Sequence, residues 1–268
     1  CMTEEQAGRD AASATATADP PALSLEDVDA GYRSCRALFG VSIEVPRGAA
    51  VALVGANGAG KSTVARVATG LVQPTSGTVR VDGTDFTGSA VHEFARAGIA
   101  MAPEGRGVFS TLSVSDNLRV AFRNTPQIAD PQAALEEAFA MFPRLAERRE
   151  QLAGTLSGGE QRMLTLARVM VANPRVLVAD ELSLGLAPLV TAEVYRTLER
   201  VREAGCALLV VEQHLDHALE LADEVVIIAR GEVTFRRTPQ QARELDGSIL
   251  LPSGNPAAEA ADTPGGEP

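Results

Sequence analysis

Short apolar runs recur along the chain, each bounded by Gly, Pro, Asp or Asn. They predict strands at 23–28, 41–45, 50–54, 78–81, 99–102, 176–179, 207–211 and 225–229. Several of these runs are continuous rather than alternating, as expected of strands buried on both faces of a parallel sheet. Stretches with helical spacing of apolar residues lie at 62–69, 159–171, 188–203 and 215–221, so strands and helices alternate through the core. The segment 114–153 differs. It is rich in Ala, Glu, Arg, Leu and Phe without a strand signal, and is expected to be a helical insertion. Residues 1–21, ending in Pro20-Pro21, and residues 252–268 carry no apolar periodicity and are expected to be disordered tails. One folded body over 22–251 remains.

Charge narrows the possibilities. Thirty-five acidic residues face 24 basic ones, a net charge of −11, so the global field repels nucleic acid and anionic lipid. Cys1, Cys35 and Cys206 form no CxxC pair and share no metal spacing with the three histidines, which argues against a zinc site or a disulfide framework. The apolar runs at 207–211 and 225–229 are far shorter than the roughly 20 residues needed to cross a bilayer. The cysteine usage leads to the expectation of a reducing, cytoplasmic setting, and the first residues, Cys1-Met2-Thr3-Glu4-Glu5, lack the basic and apolar segments expected of a secretory leader. Of the 24 basic residues only Lys61 is a lysine. A chain that uses arginine everywhere else needs a compact ammonium at that position.

Lys61 lies in the most informative stretch. The strand at 50–54 runs into Gly55-Ala56-Asn57-Gly58-Ala59-Gly60-Lys61-Ser62-Thr63 and then into a helix, the form of a P-loop. Glycines let successive backbone N–H groups point at phosphate oxygens, and the helix N-terminus adds positive potential. Lys61 would then reach the β- and γ-phosphates, and Ser62 would ligate Mg²⁺. Farther on, the apolar strand at 176–179 ends in Asp180-Glu181, the form of a Walker B element. In this reading Asp180 holds Mg²⁺ through water, and Glu181 is the general base for the attacking water. Between the two lies Leu156-Ser157-Gly158-Gly159-Glu160-Gln161-Arg162, where a hydroxyl and two glycines open a helix and make a second anion cradle, capped by Ser157.

With these three motifs in this order, the chain resembles the ATP-binding cassette (ABC) ATPases over nearly all of residues 23–245. The resemblance implies an α/β P-loop NTPase with a RecA-like core, an antiparallel β subdomain and a helical subdomain at about 112–160. It further implies that ATP and Mg²⁺ are bound and that Ser157, Gly158, Gly159 and Glu160 close on the γ-phosphate held by the P-loop of a second subunit, in a head-to-tail dimer. Tyr32, on a Gly31-Tyr32 turn after the first strand, matches the aromatic that stacks on adenine. Glu104 stands where most of the family has a glutamine that approaches Mg²⁺ and faces the membrane partner. Gln213 stands where a histidine usually contacts the γ-phosphate, with His214 next to it. A glutamine can donate a hydrogen bond there but cannot shuttle a proton.

The segments Pro103-Glu104-Gly105-Arg106, Leu182-Ser183-Leu184-Gly185-Leu186-Ala187-Pro188 and Val211-Glu212-Gln213 together resemble one subgroup, the ATP-binding subunits of branched-chain amino acid importers. Leu182 departs from it, standing where a proline normally follows the catalytic Glu. The subgroup implies a heterodimer with a second ATPase subunit, two transmembrane permeases, an extracytoplasmic solute-binding protein acting indirectly, no nucleic acid, and a peripheral place on the cytoplasmic face of the membrane. The alternatives are an ATPase of a related importer for urea, amides or other small polar solutes, and a soluble ABC ATPase outside transport. Arg106 and Phe109 are read either as a docking point for a permease or as an ordinary exposed arginine and a core aromatic. His214 and His217 are expected on a solvated helix face, and Met163 and Met170 in the core.

Overall fold

The computed structural model describes residues 19–33, 35–105, 107–123, 125, 128–213 and 215–244, without the side chains of 215–217. Arg106, His214, the His217 side chain, residues 1–18 of the expected N-terminal tail, and residues 245–268, the last stretch of the expected folded body together with the expected C-terminal tail, lie outside the described residues.

Two sheets carry the fold. The first is antiparallel, in the order β2-β1-β4-β5, and is built from β1 (Leu23–Tyr32), β2 (Cys35–Val45), β4 (Ser76–Val81) and β5 (Thr84–Asp85). The second has six strands: β3 (Ala50–Val54), β6 (Ile99–Ala102), β7 (Val176–Asp180), β8 (Ala207–Glu212), β9 (Glu224–Ala229) and β10 (Glu232–Arg237). Its order is β10-β9-β3-β8-β7-β6, parallel except for the antiparallel edge strand β10.

The parallel strands read as unbroken apolar runs because both of their faces are covered. Leu177, Ala179, Leu208 and Val210 point into a core shared with the helical segment, whereas Val176, Val178, Leu209 and Val211 point into the core under the antiparallel sheet. Helix α1 (Lys61–Ala68) belongs to the second core through Val64, Ala65, Val67 and Ala68. The helical segment comprises α3 (Val114–Arg123), α4 (Pro131–Met141), α5 (Pro143–Glu147) and the short 3-10 turn Ala153–Thr155. It packs Leu118, Phe122, Leu135 and Leu145 into one cluster with α6 (Gly158–Met170), α7 (Pro188–Glu203) and the sheet. The insertion therefore shares a core with the α/β body instead of forming one of its own. Met163 is buried in that cluster and Met170 packs against it.

Several elements differ from expectation. Strand β1 runs on to Tyr32 and pairs with a longer β2 as far as Tyr32 opposite Cys35, so Tyr32 closes a strand and does not sit on a turn. Exposed and half-buried residues such as Arg36 and Phe39 hide the beginning of β2 from an apolar search. The edge strand β10, Glu-Val-Thr-Phe-Arg-Arg, has no buried residue. Helix α2 (Val91–Arg96) buries only Phe94, which meets Phe86 edge-on with ring centroids 5.3 Å apart. Two short helices, α8 (Leu215–Leu221) and α9 (Pro239–Arg243), cover the end of the sheet near β9.

Candidate active site

The chemistry-bearing segments leave the carboxyl ends of four adjacent parallel strands. β3 delivers the loop 55–60, β8 delivers Gln213, β7 delivers Asp180 and Glu181, and β6 delivers Glu104. The crevice outside the carboxyl ends of such strands is where open α/β sheets bind ligands. Here a cavity of about 360 Å³ is lined by Ala37, Asn57, Gly58, Gly60, Lys61, Ser62, Thr63, Glu104, Glu181, Leu184 and Gln213.

The loop is shaped for backbone donors. Gly60 takes φ 108°, a conformation that side chains resist, and it precedes α1 without any side-chain cap. The N–H groups of the first turn are thus left free of a competing side-chain acceptor. A Cβ at Gly55 would stand 2.3 Å from the Ile228 carbonyl, so the loop passes too close to β9 for any larger residue.

Lys61 is buried. Its ammonium donates to the carbonyls of Gly55 (3.0 Å) and Ala56 (3.2 Å) and pairs with Glu181 Oε1 at 3.2 Å. Thus Ala56 and Gly55 act through their backbone, while Ala59 packs into the core beneath the loop. Ser62 Oγ donates to Asp180 Oδ1 at 3.3 Å, which joins α1 to the end of β7. Burial, then the neighbouring Glu181 and Glu104, push the Asp180 carboxyl up to about 6, while the Ser62 hydrogen bond and Arg66 oppose the shift. Glu181 adopts φ 48°, a sparsely populated region for a residue with a side chain.

The remaining expected residues lie outside this cavity. Tyr32 is 42% exposed at the end of β1, and its hydroxyl accepts a hydrogen bond from Arg66 Nη1 at 2.8 Å. Ser157, Gly158, Gly159 and Glu160 open α6 and do not line it. There Ser157 accepts from the Glu160 N–H. Glu160 Oε2 in turn accepts from the Ser157 N–H (2.9 Å) and hydroxyl (2.8 Å), a complete capping box. Arg148 closes the arrangement by pairing with Glu160 Oε1 at 2.7 Å.

Two buried residues stand within the quoted segments without a role that the sequence assigns. Arg162, on α6, donates to the carbonyls of Pro103 and Gly105 on either side of Glu104, and to the Glu181 carbonyl at 3.4 Å. It ties the second cradle's helix to both acidic loops. Glu212, next to Gln213, is 2% exposed and accepts three hydrogen bonds. In the sequence each is one charged residue at the edge of a quoted segment; only the fold shows what it reaches.

The family model for "ABC transporter" matches residues 38–183. The chain is 41% identical over 216 residues to the high-affinity branched-chain amino acid transport ATP-binding protein BraG of Pseudomonas aeruginosa, covering 81% of this chain and 92% of the relative. It is 33% identical to a probable branched-chain amino acid transport ATP-binding protein LivF of Archaeoglobus fulgidus, covering 83% and 94%. Among solved structures, an ABC transporter cassette in its ADP conformation superposes with a TM-score of 0.74 at 25% identity, covering 85% of this chain and 94% of the other. The family match, the similarity along most of the chain and the shared fold agree, and the chain belongs to the ABC transporter family as one of its ATPase cassettes.

Proposed function

We propose that this cassette hydrolyses ATP to power an importer of branched-chain amino acids, at the cytoplasmic face of the membrane. It works there with a second ATPase subunit in a head-to-tail heterodimer and with two permeases, to which an extracytoplasmic binding protein brings the solute. The observation that carries this reading is the convergence of Lys61, Ser62, Glu181, Glu104 and Gln213 on one cavity at the carboxyl ends of four neighbouring strands, with Asp180 behind it on the Ser62 hydroxyl. The cargo rests on the similarity to BraG and LivF.

In this reading the backbone N–H groups of 57–63 and the Lys61 ammonium hold the β- and γ-phosphates, and Tyr32 stacks on the adenine. The Asp180 carboxyl and the Ser62 hydroxyl fit Mg²⁺, with Glu104 nearby: they are hard oxygen ligands, and burial leaves Asp180 short of positive charge. When bound, the ion neutralises charge on the phosphates. A γ-phosphate competes with Glu181 for Lys61, so substrate binding frees the Glu181 carboxyl to accept a proton from the attacking water. Gln213 holds that water or the phosphate by a hydrogen bond. Ser157, Gly158, Gly159 and Glu160 meet the γ-phosphate of the partner ATPase subunit.

Permeases are expected on the face where Phe109, 47% exposed, lies under the Arg168 guanidinium at 4.9 Å. A neighbouring cavity of about 450 Å³, lined by Leu71, Val91, Met101 and Arg168 among others, gathers no phosphate-binding loop and suits a protein segment instead. The test is reconstitution with candidate permeases and a second ATPase subunit. Turnover is expected to rise with leucine-loaded binding protein, whereas equal stimulation by a urea- or amide-loaded one would reassign the cargo.

A further inference from the structure

We propose that Glu212 is a positioning residue for hydrolysis: it locks the loop that follows Glu181 onto the end of β8, so that Glu181 and Gln213 are presented as one unit. This rests on the ATPase reading above.

Glu212 is the last residue of β8 and precedes Gln213 directly. Its Oε2 accepts from the Ser183 hydroxyl at 2.8 Å; its Oε1 accepts from the Ser183 backbone N–H at 3.2 Å and from the Tyr195 hydroxyl at 3.0 Å. Ser183 therefore meets this carboxyl with two donors, a two-point contact that fixes orientation as well as distance. Ser183 is two residues beyond Glu181, and the Glu181 N–H donates to the Val211 carbonyl at 2.9 Å. Leu182, between them, is buried in the core cluster. Glu181 is thus held on both sides while it adopts φ 48°. A sparsely populated backbone conformation persists only where the surroundings over-determine it, and the contacts of Glu212 supply part of that determination.

A buried carboxyl is a costly way to anchor a loop unless its acceptors are used. Here both oxygens are used, Oε1 by the Ser183 N–H and the Tyr195 hydroxyl and Oε2 by the Ser183 hydroxyl, and an amide could match this only with the Ser183 hydroxyl turned from donor to acceptor. Burial, reinforced by Glu212, holds the Tyr195 phenol well above its usual range, so its O–H remains a donor. Among the described residues no ion pair to Glu212 is present, so neutral donors alone hold it. This leaves the contact able to set geometry without drawing Lys61 or an arginine away from the cavity.

The full-length chain and its Ser183→Ala, Glu212→Ala, Glu212→Gln and Tyr195→Phe variants are compared by ATP turnover, nucleotide affinity, and hydrogen exchange of the backbone over 182–187. Ser183→Ala and Glu212→Ala are expected to quicken exchange in that loop and to lower kcat about tenfold, with nucleotide Kd within about twofold of wild type. Glu212→Gln should recover much of the loss, because it keeps an acceptor for Tyr195 and the Ser183 hydroxyl can turn to meet its amide. Tyr195→Phe should have the smallest effect, since Tyr195 lies outside the loop. Ser183→Ala removes one half-buried hydroxyl and guards against misfolding of the Glu212 variants. Unchanged loop exchange in Ser183→Ala and Glu212→Ala would overturn the proposal. So would quickened exchange with wild-type kcat, or losses of kcat and affinity in equal measure. Absence of turnover in the wild-type chain under every condition would strike the ATPase reading instead, and the exchange data would still judge the lock.

Discussion

The chain contains two glycine-bearing helix N-termini that the same physics makes attractive to anions, and the fold treats them in opposite ways. At α1 the residue before the helix is Gly60, which offers no side-chain acceptor, and the nearest cation is the buried ammonium of Lys61. At α6 the residue before the helix is Ser157, its hydroxyl and N–H are engaged by Glu160, and Glu160 is in turn neutralised by Arg148. At the first cradle the carboxylate of Glu181 sits on the Lys61 ammonium and leaves the loop N–H groups without a side-chain acceptor, so an incoming phosphate has only to displace Glu181 from Lys61. At the second the carboxylate of Glu160 occupies the cap itself, on the Ser157 N–H and hydroxyl, so it is stable alone and suited to an auxiliary part in holding phosphate. Identical helix dipoles thus give one primary site and one site that acts when another chain brings its phosphate.

This contrast can be broken by substitution. Lys61→Ala is expected to have the largest effect, reducing nucleotide affinity by about 100-fold, on the order of 3 kcal/mol for lost charge-assisted hydrogen bonds. It also strands Glu181, whose side chain is nearly buried, and should lower thermal stability. Fluorescent-nucleotide titration and a melting curve check both. Glu181→Gln should leave affinity within about twofold while lowering kcat by about 100-fold or more, within the range of general-base catalysis; unimpaired steady-state phosphate release would remove Glu181 from the role of base. At the second cradle, Ser157→Ala should cost about 1 kcal/mol of stability, the usual worth of an N-cap. Turnover of the assembled transporter should fall with it.

The smallest effect is expected far from both cradles, on the antiparallel sheet. The Asp29 carboxyl is held down to about 2 from an ordinary 3.8 by hydrogen bonds from Arg36, Ser76 and the Gly40 N–H. A depressed folded value means stability that is present above pH 3.8 and lost as pH falls toward 2. Asp29→Asn should flatten that acid limb of the unfolding curve and leave turnover at neutral pH unchanged.

Much of the catalytic side was legible because its chemistry is written in contiguous residues. The run Gly55 to Thr63, the pair Asp180-Glu181 and the opening of α6 each state a local device, and buried parallel strands declare themselves by unbroken apolar runs. The edge elements were not legible. β10 buries nothing, the outer part of β2 is mostly polar or exposed, and α2 has a single anchor in Phe94, so hydrophobic periodicity has no signal to read there. The roles of Arg162 and Glu212 were missed for another reason. Each acts across the fold, Arg162 on carbonyls 57 and 59 residues away and Glu212 on a loop 29 residues away, and no local pattern encodes such a reach.

The most direct test is nucleotide titration of the purified chain beside its Lys61→Ala and Ser157→Ala variants. The account predicts that Ser157→Ala binds nucleotide as the wild type does while Lys61→Ala loses most of its affinity. A comparable loss in Ser157→Ala, or retained affinity in Lys61→Ala, would contradict the division into a primary and an auxiliary cradle.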